Sequence, residues 1–414
     1  MNKSTLLTGF AMIGFALMVI GLATAFTDQE RNTGNREASG NWVAAWAASE
    51  RAPLDEGISL GGFTNQTVRM IIDPHFDGLQ LRLHLSNRYG TKPVTFSAVH
   101  VAKQKKGAAI QKNTDRTVTF DGETTVTIPP GNVAVSDAVS LRVNCDEPLA
   151  VSLYVRGESG PVTWHPHSLQ TTYITPDGNH ASDAAASAFT KKHVDWYWLN
   201  EIDVVPEGKV KGAIAVIGDS ITNGNHSTIN ANRRWPDDLA RRFHRQRPGT
   251  WSVINQGISA NRIFESSPGI GLSAFDRLER DVFQPAGVKA LIFSEGLNDI
   301  RHHPDEVDAE QMISAMKVII EEAHEHGVAV YGATLTPFKG SNRYTEQGEK
   351  TREAVNQWIR TSGAFDGVID FDKALRDPRH PKRLLPEYDH GDHFHPNDLG
   401  YQLMANVVDL SMFN

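Results

Sequence analysis

The chain has 414 residues, of which 40% are hydrophobic and 22% charged, the balance of a globular protein large enough for more than one core. Its net charge of −8 is spread over mixed acidic and basic residues without a long basic run, which argues against nucleic acid or an anionic membrane as the main partner. The lone cysteine, Cys145, excludes an intrachain disulfide framework, and its place in the β-like run SLRVNCDEPLAVSLYV predicts a buried structural thiol rather than a nucleophile.

Residues 1–25 read as a signal peptide. Lys3 supplies a positive start, Leu6 to Leu22 is largely apolar, and Ala23-Thr24-Ala25 has the small-x-small pattern of a cleavage site. An uncleaved membrane anchor is the rival reading, since the apolar stretch is nearly long enough to span. With cleavage, the expectation is a secreted or periplasmic protein without stable membrane association. Residues 26–40 are polar and aperiodic, a flexible leader.

Residues 41–205 alternate apolar and polar positions in TVRMIID, LQLRLHLSN, TFSAVHVAK, RTVTF, TTVTIPP, LRVN and LAVSLYV. Asp77-Gly78, Asp121-Gly122 and Pro130-Gly131 mark turns between them, so an all-β sandwich or jelly-roll-like accessory domain is predicted. Trp42 and Trp46 are expected to anchor its core rather than to bind sugar.

From residue 206 to 414 the rhythm changes. KGAIAVIGDS, WSVINQG, VKALIFSEG, VAVYGATL and DGVIDF read as buried strands. WPDDLARRFHRQ, SAFDRLERDVF, AEQMISAMKVIIEEAHEHG, EQGEKTREAVNQWIRTSG and PNDLGYQLMANVVDLSMF read as amphipathic helices. Alternating strands and helices predict an α/β fold with a parallel sheet covered on both faces. In such sheets the site lies beyond the carboxyl ends of the strands, which puts Ser220, Gly257, Asn298 and the loop after DGVIDF on one rim.

Four short motifs there carry chemistry. Ser220, in Gly218-Asp219-Ser220, sits where a strand turns into a helix, exposing its hydroxyl and its N–H; the bland alternative is a helix cap. In Asp392-His393-Phe394-His395, Asp392 is spaced to hold one ring nitrogen of His395 and so fix the tautomer of a general base. A polar surface loop, or a metal site of Asp389, His390, His393 and His395 with slight support from His302-His303, are the alternatives. Asn298, in Gly296-Leu297-Asn298-Asp299, is placed to offer its amide to an oxyanion, although turn chemistry also explains it. The loop Asn255-Gln256-Gly257-Ile258-Ser259-Ala260-Asn261-Arg262 offers a backbone donor.

Taken in order, IGDSITNG, NQGISANR, GLND and DHFHP resemble the first, second, third and fifth blocks of the SGNH (GDSL-type) hydrolases, over roughly half the chain. NWVAAWAAS, NQTVRM and LSNRYG resemble the N-terminal domain of a two-domain secreted branch of that family. The resemblance implies a flavodoxin-like α/β/α domain, a triad of Ser220, His395 and Asp392, and an oxyanion hole of the Ser220 N–H, a second-block N–H and the Asn298 side chain. Where the family places a glycine donor this chain has Ala260, tolerable if φ is negative and strained if positive; Gly257 is the fallback. The implied activity is hydrolysis of an ester without metal or organic cofactor. The absence of a long apolar lid segment points to a short acyl group, and export with an N-terminal β-sandwich points to an acylated polysaccharide, such as an acetylated one. An aryl or lipid ester is the close rival, and a non-catalytic surface binding protein the more distant one. Trp164, His165, His167 and Gln170 are candidates to lean over the site, with ordinary loop packing as the alternative.

Overall fold

In the computed structural model the described residues are 42–145 and 147–414, so the predicted signal peptide and leader lie outside them. Two antiparallel sheets come first. One has four strands in the order Val43–Ala47, Leu199–Val204, Leu81–Ser86, Val133–Val135. The other is built around Thr64–Ile72, Leu149–Glu158 and Val94–Lys106. Alternation along these strands turns Val68, Met70, Ile72, Leu81, Leu83, Leu85, Val151 and Leu153 into one shared core between the sheets. Trp46 is buried there, edge-on to Trp196. Trp42 is only half-buried and lies under the Arg82 guanidinium.

The segment LRVN forms no strand and contributes a single bridge, Val143 to Gly78. Cys145 is half-buried in a turn rather than buried in a strand, because the chain bends there and the Cys145 N–H goes to Asp77. The strands Thr172–Ile174, Lys191–His193 and Leu199–Val204 lack the length or alternation that made the earlier ones legible.

The second part is a five-stranded parallel sheet in the order Trp251–Gly257, Gly212–Gly218, Val288–Ser294, Ala329–Ala333, Gly367–Ile369, the flavodoxin-like arrangement. Every residue of Gly212–Gly218 is buried, as a central strand covered on both faces demands. Helix Trp235–Gln246 carries Pro236 in its first turn, where a missing N–H costs nothing. Helices Ala309–Glu325, Glu346–Thr361 and Asp398–Val407 are capped by Asp308, Thr345 and Asn397. SAFDRLERDVF is helical only over Ala274–Leu278 before widening into a π-type turn, Glu279–Phe283. Among the described residues no helix is long and apolar enough to cross a membrane.

The two parts form one compact unit, Asn41–Asn414. Val43, Ala44 and Ala47 belong to the core of the parallel-sheet part, while their neighbours Ala45 and Trp46 belong to the β core. The Ser252 hydroxyl donates to the Ala44 carbonyl, and the Ala44 N–H donates to the Ala286 carbonyl.

Candidate active site

Strand register sets the rim. Gly218 lies level with Gly257 on one side and with Ser294 on the other, so the three following loops begin side by side. Ser220 opens a short helix, Ser220–Asn223, and the Asp219 side chain caps it by accepting from the Ile221 N–H at 2.8 Å. As a first helical residue Ser220 has no intrahelical acceptor for its own N–H. Gly218 and Gly257 make room for this turn. A Cβ on Gly218 would meet the Thr222 hydroxyl at 2.2 Å, and one on Gly257 would meet the Asn223 nitrogen at 2.4 Å.

The Ser220 Oγ lies 2.8 Å from His395 Nε2, and His395 Nδ1 lies 2.6 Å from Asp392 Oδ2. The other Asp392 oxygen accepts the backbone N–H groups of Phe394 and His395 at 3.0 and 2.9 Å, so one carboxylate shapes the loop and holds the ring. Partial burial opposes the Asp392 charge. The hydrogen bonds from the His395 ring and backbone outweigh that burial and hold the carboxyl well below its ordinary range. A helix, Phe371–Leu375, and a hairpin, Arg376–Asp377 with His380–Leu384, separate the last parallel strand from this loop.

Asn298 is buried, on a short helix, Leu297–His302, where a plain turn was the alternative. Its amide nitrogen is 3.1 Å from the Asn261 carbonyl and 3.4 Å from Asp219 Oδ2, and Arg301 donates to its oxygen at 3.2 Å. Ala260 has φ +67°, the strained case. Its N–H finds no acceptor among the described residues. Its neighbours are tied to both sides of the site: the Ser259 hydroxyl accepts from Asn223 and donates to Asn225, and the Asn261 carbonyl accepts from Asn298. The fallback donor, Gly257, already gives its N–H to the Asn255 side chain at 2.9 Å; it is a packing glycine.

Acidic groups lie beneath the rim. Burial pushes Asp219 up, burial and the Asp219 charge push Glu295 well up, and burial raises Asp299 to about 6 although it accepts from the Ile263 and Phe264 N–H groups. Arg277 is a fully buried cation among them. It donates to the Gln256 carbonyl (2.5 Å), Asn261 Oδ1 (3.0 Å), the Gly218 carbonyl (3.2 Å), Asp281 and Ser49 (both 3.1 Å). Nothing in the charged helical run around Arg277 singles it out in the sequence.

Ser49 comes from the β-rich part, and so does His165. The His165 ring is buried between the Ser49 carbonyl at 2.7 Å and Asn223 Oδ1 at 2.8 Å, and the Asn223 amide donates to the His167 carbonyl. Burial lowers His165 to about 4, against those two hydrogen bonds. The stretch therefore packs against the Ser220 helix. Trp164 is buried in the β core, Gln170 is also buried, and His167 alone of the four is exposed.

The alternative metal set does not converge. Asp389 holds His393 at 2.6 Å, His390 stacks on His226, His303 pairs with Arg262, Glu265 and Glu306, and His302 lies near the Arg262, Arg343 and Arg301 cations. His226, in the loop after the Ser220 helix, faces Asp392 Oδ2 at 3.7 Å. The sequence reading passed it over because no motif contains it.

Residues 216–403 match the model of the GDSL-like lipase/acylhydrolase family. Among curated proteins nothing matches the chain. Solved structures similar to it include a GDSL-like lipase from Bacteroides thetaiotaomicron (16% identity, TM-score 0.38, covering 49% of this chain and 87% of that one). The acetyl xylan esterase AlAXEase is also similar (19%, 0.37, 47% and 96%). So is Axe2, an acetylxylan esterase from Geobacillus stearothermophilus (18%, 0.36, 47% and 91%). By the family match, residues 216–403 are a GDSL-like lipase/acylhydrolase domain, a hydrolase of the ester type, carried behind an antiparallel β-rich domain.

Proposed function

We propose that the protein is an exported serine esterase that removes short acyl groups, acetyl above all, from carbohydrate, with Ser220 as nucleophile. The observation that carries the reading is the unbroken relay from the Ser220 hydroxyl through both nitrogens of His395 to Asp392, at 2.8 and 2.6 Å.

Asp392 accepts a hydrogen bond from the Nδ1–H and so leaves the Nε2 lone pair facing the hydroxyl. His395 takes the Ser220 proton as Oγ attacks the ester carbonyl. The oxyanion that forms is held by the N–H groups of Ser220 and Ala260 and by the Asn298 amide; one such donor is typically worth ~10²–10³ in rate. The tetrahedral adduct collapses, His395 protonates the departing alcohol, and an acyl-Ser220 remains. Water then gives a proton to His395, attacks the acyl carbon and releases the acid, and the proton returns to Oγ. Arg301 supports the hole by holding the Asn298 oxygen, which fixes the orientation of the amide. The carbohydrate part of the reading rests on the N-terminal export signal read from the sequence and on the β-rich domain packed against the Ser220 helix through His165.

The test is Ser220→Ala in the full chain, assayed on p-nitrophenyl esters of increasing length and on acetylated polysaccharide. Folded protein without turnover or fluorophosphonate labelling is expected. Unchanged turnover would refute Ser220 as nucleophile, and preference for long-chain over acetyl esters would refute the substrate class.

A further inference from the structure

We infer that His226, Asp392 and His395 form a site for a divalent transition metal ion, zinc in the first place, whose occupation switches the hydrolase off. The blocking effect rests on the triad reading above; the binding site does not.

Each of the three offers a ligand atom within 4.8 Å of the others, and His226 Nε2 and His395 Nδ1 both approach Asp392 Oδ2. Two imidazoles and a carboxylate form a common donor set for zinc. Tetrahedral zinc with ligands at about 2.0–2.2 Å places them about 3.4 Å apart. The His226–Asp392 separation of 3.7 Å is already close to that value. The His395–Asp392 separation of 2.6 Å must open by less than about 1 Å, which falls on a short loop. His226 is braced from behind by His390, stacked at 4.0 Å with the ring planes 16° apart. The His226 and Asp392 side chains are 41% and 38% exposed, so an ion can enter and a water can complete its shell.

The consequence follows from tautomer chemistry. A neutral imidazole has one lone pair on nitrogen and one N–H. In the relay the proton is on Nδ1 and the lone pair on Nε2 faces Ser220. An ion on Nδ1 needs the lone pair there, so the Nδ1 proton shifts to Nε2, where the lone pair had faced Ser220, and the ring stays neutral. His395 then donates to Oγ and cannot accept from it, and attack stops until the ion leaves.

The test uses the full chain and zinc chloride. Zinc is expected to abolish p-nitrophenyl acetate turnover, and a chelator to restore it. His226→Asn should turn over normally yet need at least ~10-fold more zinc for the same inhibition, by the scale on which support for a metal site is lost. Cobalt(II) provides a readout without catalysis: Ser220→Ala should develop the visible absorption of a bound ion, and Ser220→Ala with His226→Asn should not. Wild type indifferent to zinc, His226→Asn as sensitive as wild type, or equal cobalt absorption in both backgrounds would overturn the site. If the chain proves to be no serine esterase, the cobalt comparison still decides it.

Discussion

Arg277 is the residue whose loss tests how the two parts of the chain support one site. In Arg277→Met the long apolar stem remains and the guanidinium goes, leaving the Gly218 and Gln256 carbonyls and Asn261 Oδ1 without this donor. The Gly218 carbonyl keeps the Ile258 N–H and the Gln256 carbonyl keeps the Ser49 hydroxyl, so the cost of an unpaired buried acceptor, about 1–3 kcal/mol, falls on Asn261 Oδ1. The charge loss is smaller than for an isolated pair. Asp281 keeps Arg280 at 2.6 and 2.8 Å and the Ser49 hydroxyl at 2.6 Å, and Glu295 is already pushed toward its neutral form. Removing one partner of a buried pair costs about 3–5 kcal/mol, and the lower half of that range is expected here. Domains commonly hold about 5–15 kcal/mol, so the variant should stay folded at room temperature and unfold at lower urea. Its kcat should fall about 10- to 100-fold, because Gly218 and Asn261 flank the Ser220 turn and the Ala260 loop and small misplacements of reacting groups are costly. Urea unfolding followed by tryptophan fluorescence, with kcat measured on the same samples, provides the check. A midpoint and kcat both within error of wild type would refute the positioning argument.

Asp392→Asn should retain more activity than His395→Ala, although an orienting Asp can still account for ~10⁴ in rate, and equal or reversed losses in kcat would contradict the orienting role. Ala260→Gly removes a Cβ from a residue at φ +67° and leaves the N–H in place. It should therefore be neutral to about 1 kcal/mol more stable with kcat kept, and clear destabilisation in urea would contradict the strain. His165 titrates near 4 when folded and near 6.5 when unfolded. Between those values the unfolded chain binds the extra proton, so stability rises with pH through the window and falls on acidification by about 3 kcal/mol at most. His165→Gln should flatten that part of the urea-midpoint profile, and parallel wild-type and variant profiles would count against a buried neutral ring.

The parallel sheet and its helices were legible because burial and amphipathicity there are continuous. WSVINQG is a strand at Trp251–Gly257 and WPDDLARRFHRQ a helix at Trp235–Gln246, end to end. The relay of Ser220, His395 and Asp392 was legible because each member sits in a short motif whose local geometry, a strand-to-helix turn or an Asp three residues before a His, is its own explanation. The late β strands were not, since two- and three-residue strands such as Trp164–His165 owe their existence to partners rather than to alternation. Arg277, His226 and Ser49 were hidden for the same reason. Their roles depend on residues far along the chain, as with Ser49 and Asp281 at 232 positions, and nothing local marks them. Cys145 misled because the apolar run around it bends at a turn.

The pairing of Val43–Ala47 with Leu199–Val204, and its lodging against Ala286 and Ser252, bears on the order of assembly during synthesis. That strand is made well ahead of its strand partner and 208 residues ahead of Ser252, and contacts of such separation slow folding. On the proposed mechanism the nucleophile waits as well, since its imidazole is made 175 residues after it. A chain still on the ribosome, or one broken off upstream of position 395, therefore carries at Ser220 only an ordinary alcohol.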